Sequence, residues 1–266
     1  MRAGRTGLRI GCLALLIFLI ALGLAACFSP YDPTWERVQE TRVLRVGMDA
    51  SFPPFEAIAA DGSLVGFDVE LAREISQRLG VEPRFIPNLP YDGLYDALTV
   101  GRVDVVISAL VINPARTADF AYSSSYFDAG HVLVVRKGDQ AIRSMGDLSN
   151  HSLAVVLGTP GDREARERAR RSRDLVVVQY RTPARTLDAV RAGEVDGALV
   201  DHVSALQAIG AGSPLAIVGE PVVEVPYAVA MRDDSQRLLG AINGALKKMK
   251  DDGTFDRLVT EWLKGD

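Results

Sequence analysis

The sequence predicts an α/β protein built from two successive blocks, and three observations carry that expectation. Short apolar, β-branched runs recur along the chain, such as Val103-Asp104-Val105-Val106-Ile107 and Leu153-Ala154-Val155-Val156-Leu157. Such near-continuous runs are how strands buried on both faces look in a sequence. Between the runs lie segments whose apolar residues fall at three- and four-residue steps. The strand and helix pattern then repeats in the second half, and the 240 residues from Cys27 onward suffice for one large domain or two small ones.

In chain order, Val43-Leu44-Arg45-Val46-Gly47-Met48 puts Leu44, Val46 and Met48 on one face of a strand. Asp68 is expected to cap a helix carrying Leu71, Ala72, Ile75 and Leu79, with Gly80 stopping it. Asp92 is expected to cap a second helix running to Leu98, ahead of the 103–107 strand. The second block opens on the 153–157 strand and continues with the strand Leu175-Val176-Val177-Val178. The segment between them holds Arg163, Arg166, Arg168, Arg170, Arg171 and Arg173 interleaved with Glu164 and Glu167, the pattern of a solvated helix face. A helix over Thr186–Ala192, ended by Gly193, precedes the buried strand Gly197-Ala198-Leu199-Val200. Leu239, Ile242, Leu246 and Met249 mark a final amphipathic helix, broken at Asp252-Gly253 and followed by a short helix ending at Trp262.

Charge and composition exclude several functions. The formal net charge of −4 becomes −7 without the first 26 residues, which hold three arginines and no acid. That balance argues against nucleic acid as a partner. His131, His151 and His202 are isolated and lack metal-ligand spacing, so each is expected as a surface or strand-end residue. No glycine-rich phosphate loop follows a strand and no Gly-x-Ser-x-Gly elbow occurs, so no cofactor is expected.

The N-terminus has the form of an export signal: Arg2, Arg5 and Arg9, an apolar run, then Leu24-Ala25-Ala26-Cys27. The last four residues resemble a bacterial lipobox. That resemblance implies cleavage after residue 26, lipid on Cys27 and a location outside the cytoplasmic membrane. The alternative is an uncleaved anchor, since Ile10–Ala26 is almost long enough to span a bilayer. The only other cysteine, Cys12, would leave with the signal, so no disulfide framework is expected. Residues 27–42, with Pro30 and Pro33, are expected to form a lipidated tether.

From Val43 to Leu263 the order of motifs resembles the family 3 bacterial solute-binding proteins, receptors of polar amino acid ABC importers. The most specific piece is Gly66-Phe67-Asp68-Val69-Glu70-Leu71 with Ile75 and Leu79. Further matches are Asp49-Ala50-Ser51-Phe52-Pro53-Pro54-Phe55, Tyr91-Asp92-Gly93-Leu94, Val103-Asp104 running to Arg116, Gly158-Thr159, Val195-Asp196 with Asp201, and Asp252-Gly253-Thr254-Phe255. The resemblance implies a type II-like periplasmic binding protein fold, with two α/β lobes and a ligand cleft between them. Lobe 1 would hold 43–131 and 227–266, and lobe 2 would hold 136–222. The crossings would fall at 132–135 and 222–226.

By the same resemblance, Arg116 pairs with a ligand α-carboxylate and Asp201 with its α-ammonium. A guanidinium fork suits a carboxylate. Phe52 and Tyr91 supply aromatic faces, and Asp49 reads the distal group of the ligand, hinting at an amide, ammonium or guanidinium. Ser108, Ala109, Gly158 and Thr159 present backbone groups to the head group. Two residues depart from the family: Val111 stands where Ser or Thr is usual, and Pro160 has no N–H to donate. The expected function is non-enzymatic: a monomer, lipid-anchored outside the cytoplasm, that captures a polar amino acid or related carboxylate and delivers it to an ABC permease. Two alternatives stay open. One is a cyclohexadienyl dehydratase-like enzyme, whose general acid would be Asp162 or Glu164. The other is a sensing module for a separate receptor.

Overall fold

The computed structural model describes residues 31–172 and 174–264. The export signal at 1–26 and the proposed lipid site Cys27 lie outside the described residues. No helix among the described residues is long and apolar enough to cross a membrane.

The chain begins with helix α1 (Pro33–Thr41), strand β1 (Val43–Gly47) and a three-stranded hairpin of β2 (Ser51–Phe52), β3 (Glu56–Ile58) and β4 (Leu64–Val65). Helix α2 (Phe67–Leu79), β5 (Glu82–Ile86), a 3-10 turn at Tyr91–Gly93, α3 (Leu94–Thr99), β6 (Val105–Val106), β7 (Phe120–Tyr122) and β8 (Phe127–Asp128) follow. The second block is β9 (His131–Arg136), β10 (Ser152–Val156), α4 (Pro160–Arg171), β11 (Val176–Tyr180), α5 (Pro183–Ala192), β12 (Gly197–Asp201), α6 (His202–Gly210) and β13 (Leu215–Val223). The chain then returns through β14 (Pro226–Tyr227), β15 (Ala230–Arg232), α7 (Gln236–Asp251) and α8 (Thr254–Leu258), which runs into a π turn at Val259–Leu263.

Two five-stranded sheets result, with the orders β5-β1-β6-β15-β7 and β11-β10-β12-β9-β13. Each has three parallel strands, then one strand running the opposite way, then an edge strand antiparallel to that one. Both faces of each sheet are covered, which is why the inner strands β6, β9, β10 and β12 are so apolar. In the first sheet, Leu44, Val46 and Met48 pack under α2 and α7, and Val103 and Val106 pack with Leu94 and Leu98 of α3. In the second, Val132 and Val134 join one core, and Leu133 and Val135 join the other. Each such side chain contributes about 1.5–3 kcal/mol by leaving water.

Several boundaries differ from the sequence expectation. Residues 33–41 are not tether but a helix of the fold. Asp32 Oδ1 caps it at Trp35 N (2.8 Å), while Asp32 Oδ2 accepts from Arg237 N and Leu238 N of α7. Val38 is fully buried, and Arg37 pairs with the buried Asp104. Pro33 sits in the first turn, where its missing N–H costs nothing. Residues 132–135 are not a crossing but the middle of β9, paired to both β12 and β13. The chain passes between the sheets earlier, where β8 pairs with β14. There Asp128 Oδ1 accepts from Gly130 N and Val225 N, and its carbonyl meets His202 Nδ1 at 2.7 Å. Gly130 lets the two crossing segments touch, since a Cβ there would lie 1.6 Å from the Val223 carbonyl oxygen. The other passage leaves β13 at Val223 and enters β14 at Pro226.

Neither Asp68 nor Asp92 caps its helix. Gly66 is the residue ahead of α2, at φ +132, and Asp68 is fully buried within the first turn. Asp92 lies in the 3-10 turn before α3. His131 is a strand-end residue, the first of β9, but a buried one: it is 8% exposed and packs against Gly161.

Candidate functional site

A cavity of about 280 Å³ opens at the carboxyl ends of β1 and β6, where open α/β sheets place their ligands. Asp49, Ser51, Phe52, Glu56, Tyr91, Ser108, Ala109, Val111 and Tyr227 line it. All belong to the first lobe or to the crossing strand β14, and no Lys, Arg or His is among them.

Buried polar groups build its floor. Ser108 Oγ accepts from Asp49 N (3.0 Å) and donates to Glu56 Oε1 (2.8 Å). Asp68 Oδ2 accepts from Ala109 N (2.5 Å) and from the Tyr126 hydroxyl (2.9 Å). Glu56 and Asp68 are neighbours: the Asp68 N–H bonds the Phe55 carbonyl (2.8 Å), and their carboxyls are held by the adjacent residues Ser108 and Ala109. Burial, reinforced by the neighbouring Asp68 charge, pushes the Glu56 carboxyl far above the usual range. Burial also raises Asp68, against the opposing pull of the Ala109 N–H. Ala109 adopts φ +45, an uncommon value for a residue with a Cβ, and that conformation accompanies its N–H contact with Asp68.

The rim is aromatic and more open. Phe52 and Tyr91 are about half exposed, and Phe52 stacks on Phe55 at 5.8 Å between centroids. Asp49 Oδ2 accepts from Tyr91 N (3.1 Å) and Oδ1 from Ser51 Oγ (2.7 Å), so the acid holds the rim in place. Val111 bridges to Tyr227 through its backbone.

Six of the residues expected at the site therefore meet here: Asp49, Phe52, Tyr91, Ser108, Ala109 and Val111. Gly158, Thr159 and Asp201 do not line the cavity; they sit on the second lobe. Thr159 caps α4 through Asp162 N, and Pro160 occupies the first helical turn, so its lack of an N–H is no defect there. Asp201 caps α6 through Ser204 N at 2.8 Å, and its charge reaches Tyr227 across the crossing. Arg116 also stands apart. It lies exposed over the Tyr95 ring, 4.5 Å from the centroid, beside a separate depression with Arg232 and Asp233.

The acids considered for catalysis are placed elsewhere. Asp162 is buried; burial alone would raise it, but the Gly158 N–H, Gln179 and Arg166 together hold it below the usual carboxylate range. Glu164 lines a groove with Met145, Arg168 and Val218. Among the described residues no cluster of three or more His, Cys, Asp or Glu could hold a metal.

Sequence reasoning missed Glu56 and Tyr227. Glu56 directly follows Phe55 in the quoted motif and is an acid among apolar neighbours, a signal that was available. Tyr227 carried none, because only the pairing of β14 with β8 brings it to the cavity.

The model of the bacterial extracellular solute-binding proteins, family 3, matches residues 44–265. The chain belongs to that family. It is 32% identical over 232 residues to the L-cystine-binding protein of Escherichia coli strain K12, covering 86% of each chain. It is 29% identical to the lysine/arginine/ornithine-binding periplasmic protein of the same organism, covering 92% of this chain and 96% of the relative. Among solved structures, an ancestral cationic amino acid solute-binding protein shares 32% identity at a TM-score of 0.60, with 87% of this chain and all of that one covered. An ancestral cyclohexadienyl dehydratase shares 26% identity at a TM-score of 0.75, with 88% and 97% covered. Membership accounts for the two-lobed fold and makes this an amino acid-binding type of protein of the extracytoplasmic space.

Proposed function

We propose that the protein captures a polar amino acid with a cationic side chain between its lobes and passes it to an ABC permease, held at the outer face of the membrane by lipid on Cys27. The observation that carries this reading is the cavity itself: two acids, Asp49 and Glu56, three aromatic rings, of which Phe52 and Tyr91 stand at the rim and Tyr227 on the crossing strand, and no basic side chain. Asp49 faces the distal cation, and the two rim rings flank the aliphatic stem or stack on the charge. Ser108, Ala109 and Val111 of the first lobe and Gly158 and Thr159 of the second bring backbone groups to the ligand head. Asp201 takes the α-ammonium. Arg116 takes the α-carboxylate by leaving the Tyr95 ring; an exposed cation–π contact of about 0.5–1 kcal/mol is weaker than a two-point carboxylate pair. Closure brings the second-lobe residues to the cavity, and the ligand drives it by bonding both lobes.

The names of the relatives that bind lysine, arginine and ornithine support the cationic class. The engaged state of Asp162 and the placement of Glu164 support a protein that binds without chemistry. The test is calorimetry of the domain from residue 28 with arginine, lysine, glutamine and cystine. Arginine or lysine is expected to bind most tightly, and Asp49→Asn to weaken that binding about tenfold or more. Equal or tighter binding of a neutral amino acid would overturn the cationic assignment, and steady turnover of prephenate or arogenate would overturn the non-enzymatic one.

A further inference from the structure

The floor of the cavity contains an unusual pair. Glu56 and Asp68 are 1% and 0% exposed, and they are held side by side by the Asp68 N–H on the Phe55 carbonyl and by the adjacent residues Ser108 and Ala109. The groups facing them come from every neighbouring element. They are Asp49 after β1, Tyr91 before α3, Ser108 and the Ala109 N–H after β6, Tyr126 before β8, and Tyr227 of β14. Among the described residues, no Lys, Arg or His pairs with either carboxyl, whose hydrogen-bond partners are Ser108, Ala109 and Tyr126. Two carboxylates in that setting would be buried, adjacent and uncompensated.

A donor count resolves the conflict. Glu56 Oε1 has the Ser108 hydroxyl, and Asp68 Oδ2 has the Ala109 N–H and the Tyr126 hydroxyl. Glu56 Oε2 and Asp68 Oδ1 are buried with no donor. One proton between those two oxygens satisfies both. We propose that Glu56 and Asp68 share a single proton, and that this proton positions the ligand-facing segments of the first lobe.

The connectivity shows how. Asp49 N–H bonds Ser108, Ser108 bonds Glu56, the shared proton joins Glu56 to Asp68, and Asp68 holds Ala109. The end of β1, the hairpin, the 108–109 loop and α2 are thereby joined in one chain of hydrogen bonds. Loss of the proton leaves two repelling charges at its centre. The upward shifts of both carboxyls agree with a proton retained through neutral pH. Glu56 and Asp68 are positioning residues here. Their role in binding rests on the cavity being the ligand site, whereas the proton and its links can be tested without ligand.

The sign of the pH effect follows from proton counting. Above the ordinary carboxylate range the unfolded chain has released both protons, while the folded pair keeps one. The folded state binds more protons, so stability falls as pH rises, by up to about tenfold in the folded-to-unfolded ratio per pH unit.

The experiment compares ligand-free wild type, Glu56→Gln and Glu56→Ala. Glutamine can donate to Asp68 and still accept from Ser108, so it keeps the links without a titrating proton. The wild type is expected to show the infrared carbonyl band of a protonated carboxylic acid at neutral pH, and Glu56→Gln to lack it. The fall in stability between about pH 6 and 8 is expected in wild type and flattened in Glu56→Gln. Amide exchange at Asp49 and Ala109 should stay slow in Glu56→Gln and accelerate at least about tenfold in Glu56→Ala. The proposal is overturned by a missing band in wild type, by an unchanged pH slope in Glu56→Gln, or by both amides staying protected in Glu56→Ala. If Glu56→Ala does not fold, the band and the slope in Glu56→Gln decide. Arginine calorimetry on the same samples reads the ligand assignment separately: band and protection with no arginine binding would keep the shared proton and refute the cationic ligand.

Discussion

The two lobes use the same device in opposite charge states. In each, a parallel strand ends, a glycine with positive φ follows, and a helix begins with a buried aspartate in its first turn: Gly66 and Asp68 in the first lobe, Gly158 and Asp162 in the second. Asp162 faces an N–H, an amide and a guanidinium and stays ionised below the usual range. Asp68 faces another carboxyl and is raised. Burial is common to both, so the neighbours decide the proton. The second difference is what lies between strand and helix. The first lobe inserts the hairpin β2–β4, which carries Phe52, Phe55 and Glu56. The second has only residues 157–159, which leave backbone groups and a helix start exposed. The side chains that line the cavity thus come from the first lobe and the crossing strand β14.

The largest test of this contrast is a pair of glycine substitutions. At Gly66 an added Cβ would lie 2.2 Å from the Phe55 carbonyl oxygen, and φ is also unfavourable. At Gly158 φ is +82 but no atom lies within 4 Å. Gly66→Ala should cost about 3 kcal/mol or more by clash and strain, and Gly158→Ala about 1 kcal/mol by strain alone. Denaturant unfolding of both measures the gap, and equal costs would remove the packing difference between the lobes.

Next is the acid limb of stability. Asp162 is depressed in the folded state, so its contribution is present above the unfolded carboxylate range and is lost as pH falls through its folded value. Asp162→Asn should therefore flatten the loss of melting temperature below about pH 4, while leaving the neutral-to-alkaline limb to Glu56 and Asp68. A variant with an unchanged acid limb would show that Asp162 is not the ionised partner of Arg166.

Smaller effects separate capping from recognition. Thr159→Ala removes the cap on α4 and should cost about 1 kcal/mol of stability. Phe52→Ala, at a half-exposed rim, should leave melting nearly unchanged and weaken arginine binding about tenfold. A large loss of stability in Phe52→Ala would reassign that ring from the ligand to the aromatic core around Phe55.

Strands buried on both faces could be found from sequence because they are continuous apolar runs, as at 153–157, and helix ends such as Gly80 and Gly193 because only glycine takes a left-handed cap cheaply. Helix α1 was missed because Pro30 and Pro33 read as an extended tether, whereas Pro33 opens the helix; Asp32 caps it locally and also holds the start of α7 some two hundred residues away. The crossing was misplaced for a similar reason: Val132-Leu133-Val134-Val135 is apolar in either role, and only its pairing with β12 and β13 settles which.

By itself, the sequence determined the α/β class, the two blocks, the family motifs and the residue types around the cavity, because these depend on local periodicity and on short spacings. Tertiary structure alone decided that Glu56 meets Asp68, that Tyr227 reaches the cavity from the returning strand, and that Arg116 rests on Tyr95. A proton state and a contact between distant segments depend on which groups burial brings together, and no local pattern encodes that.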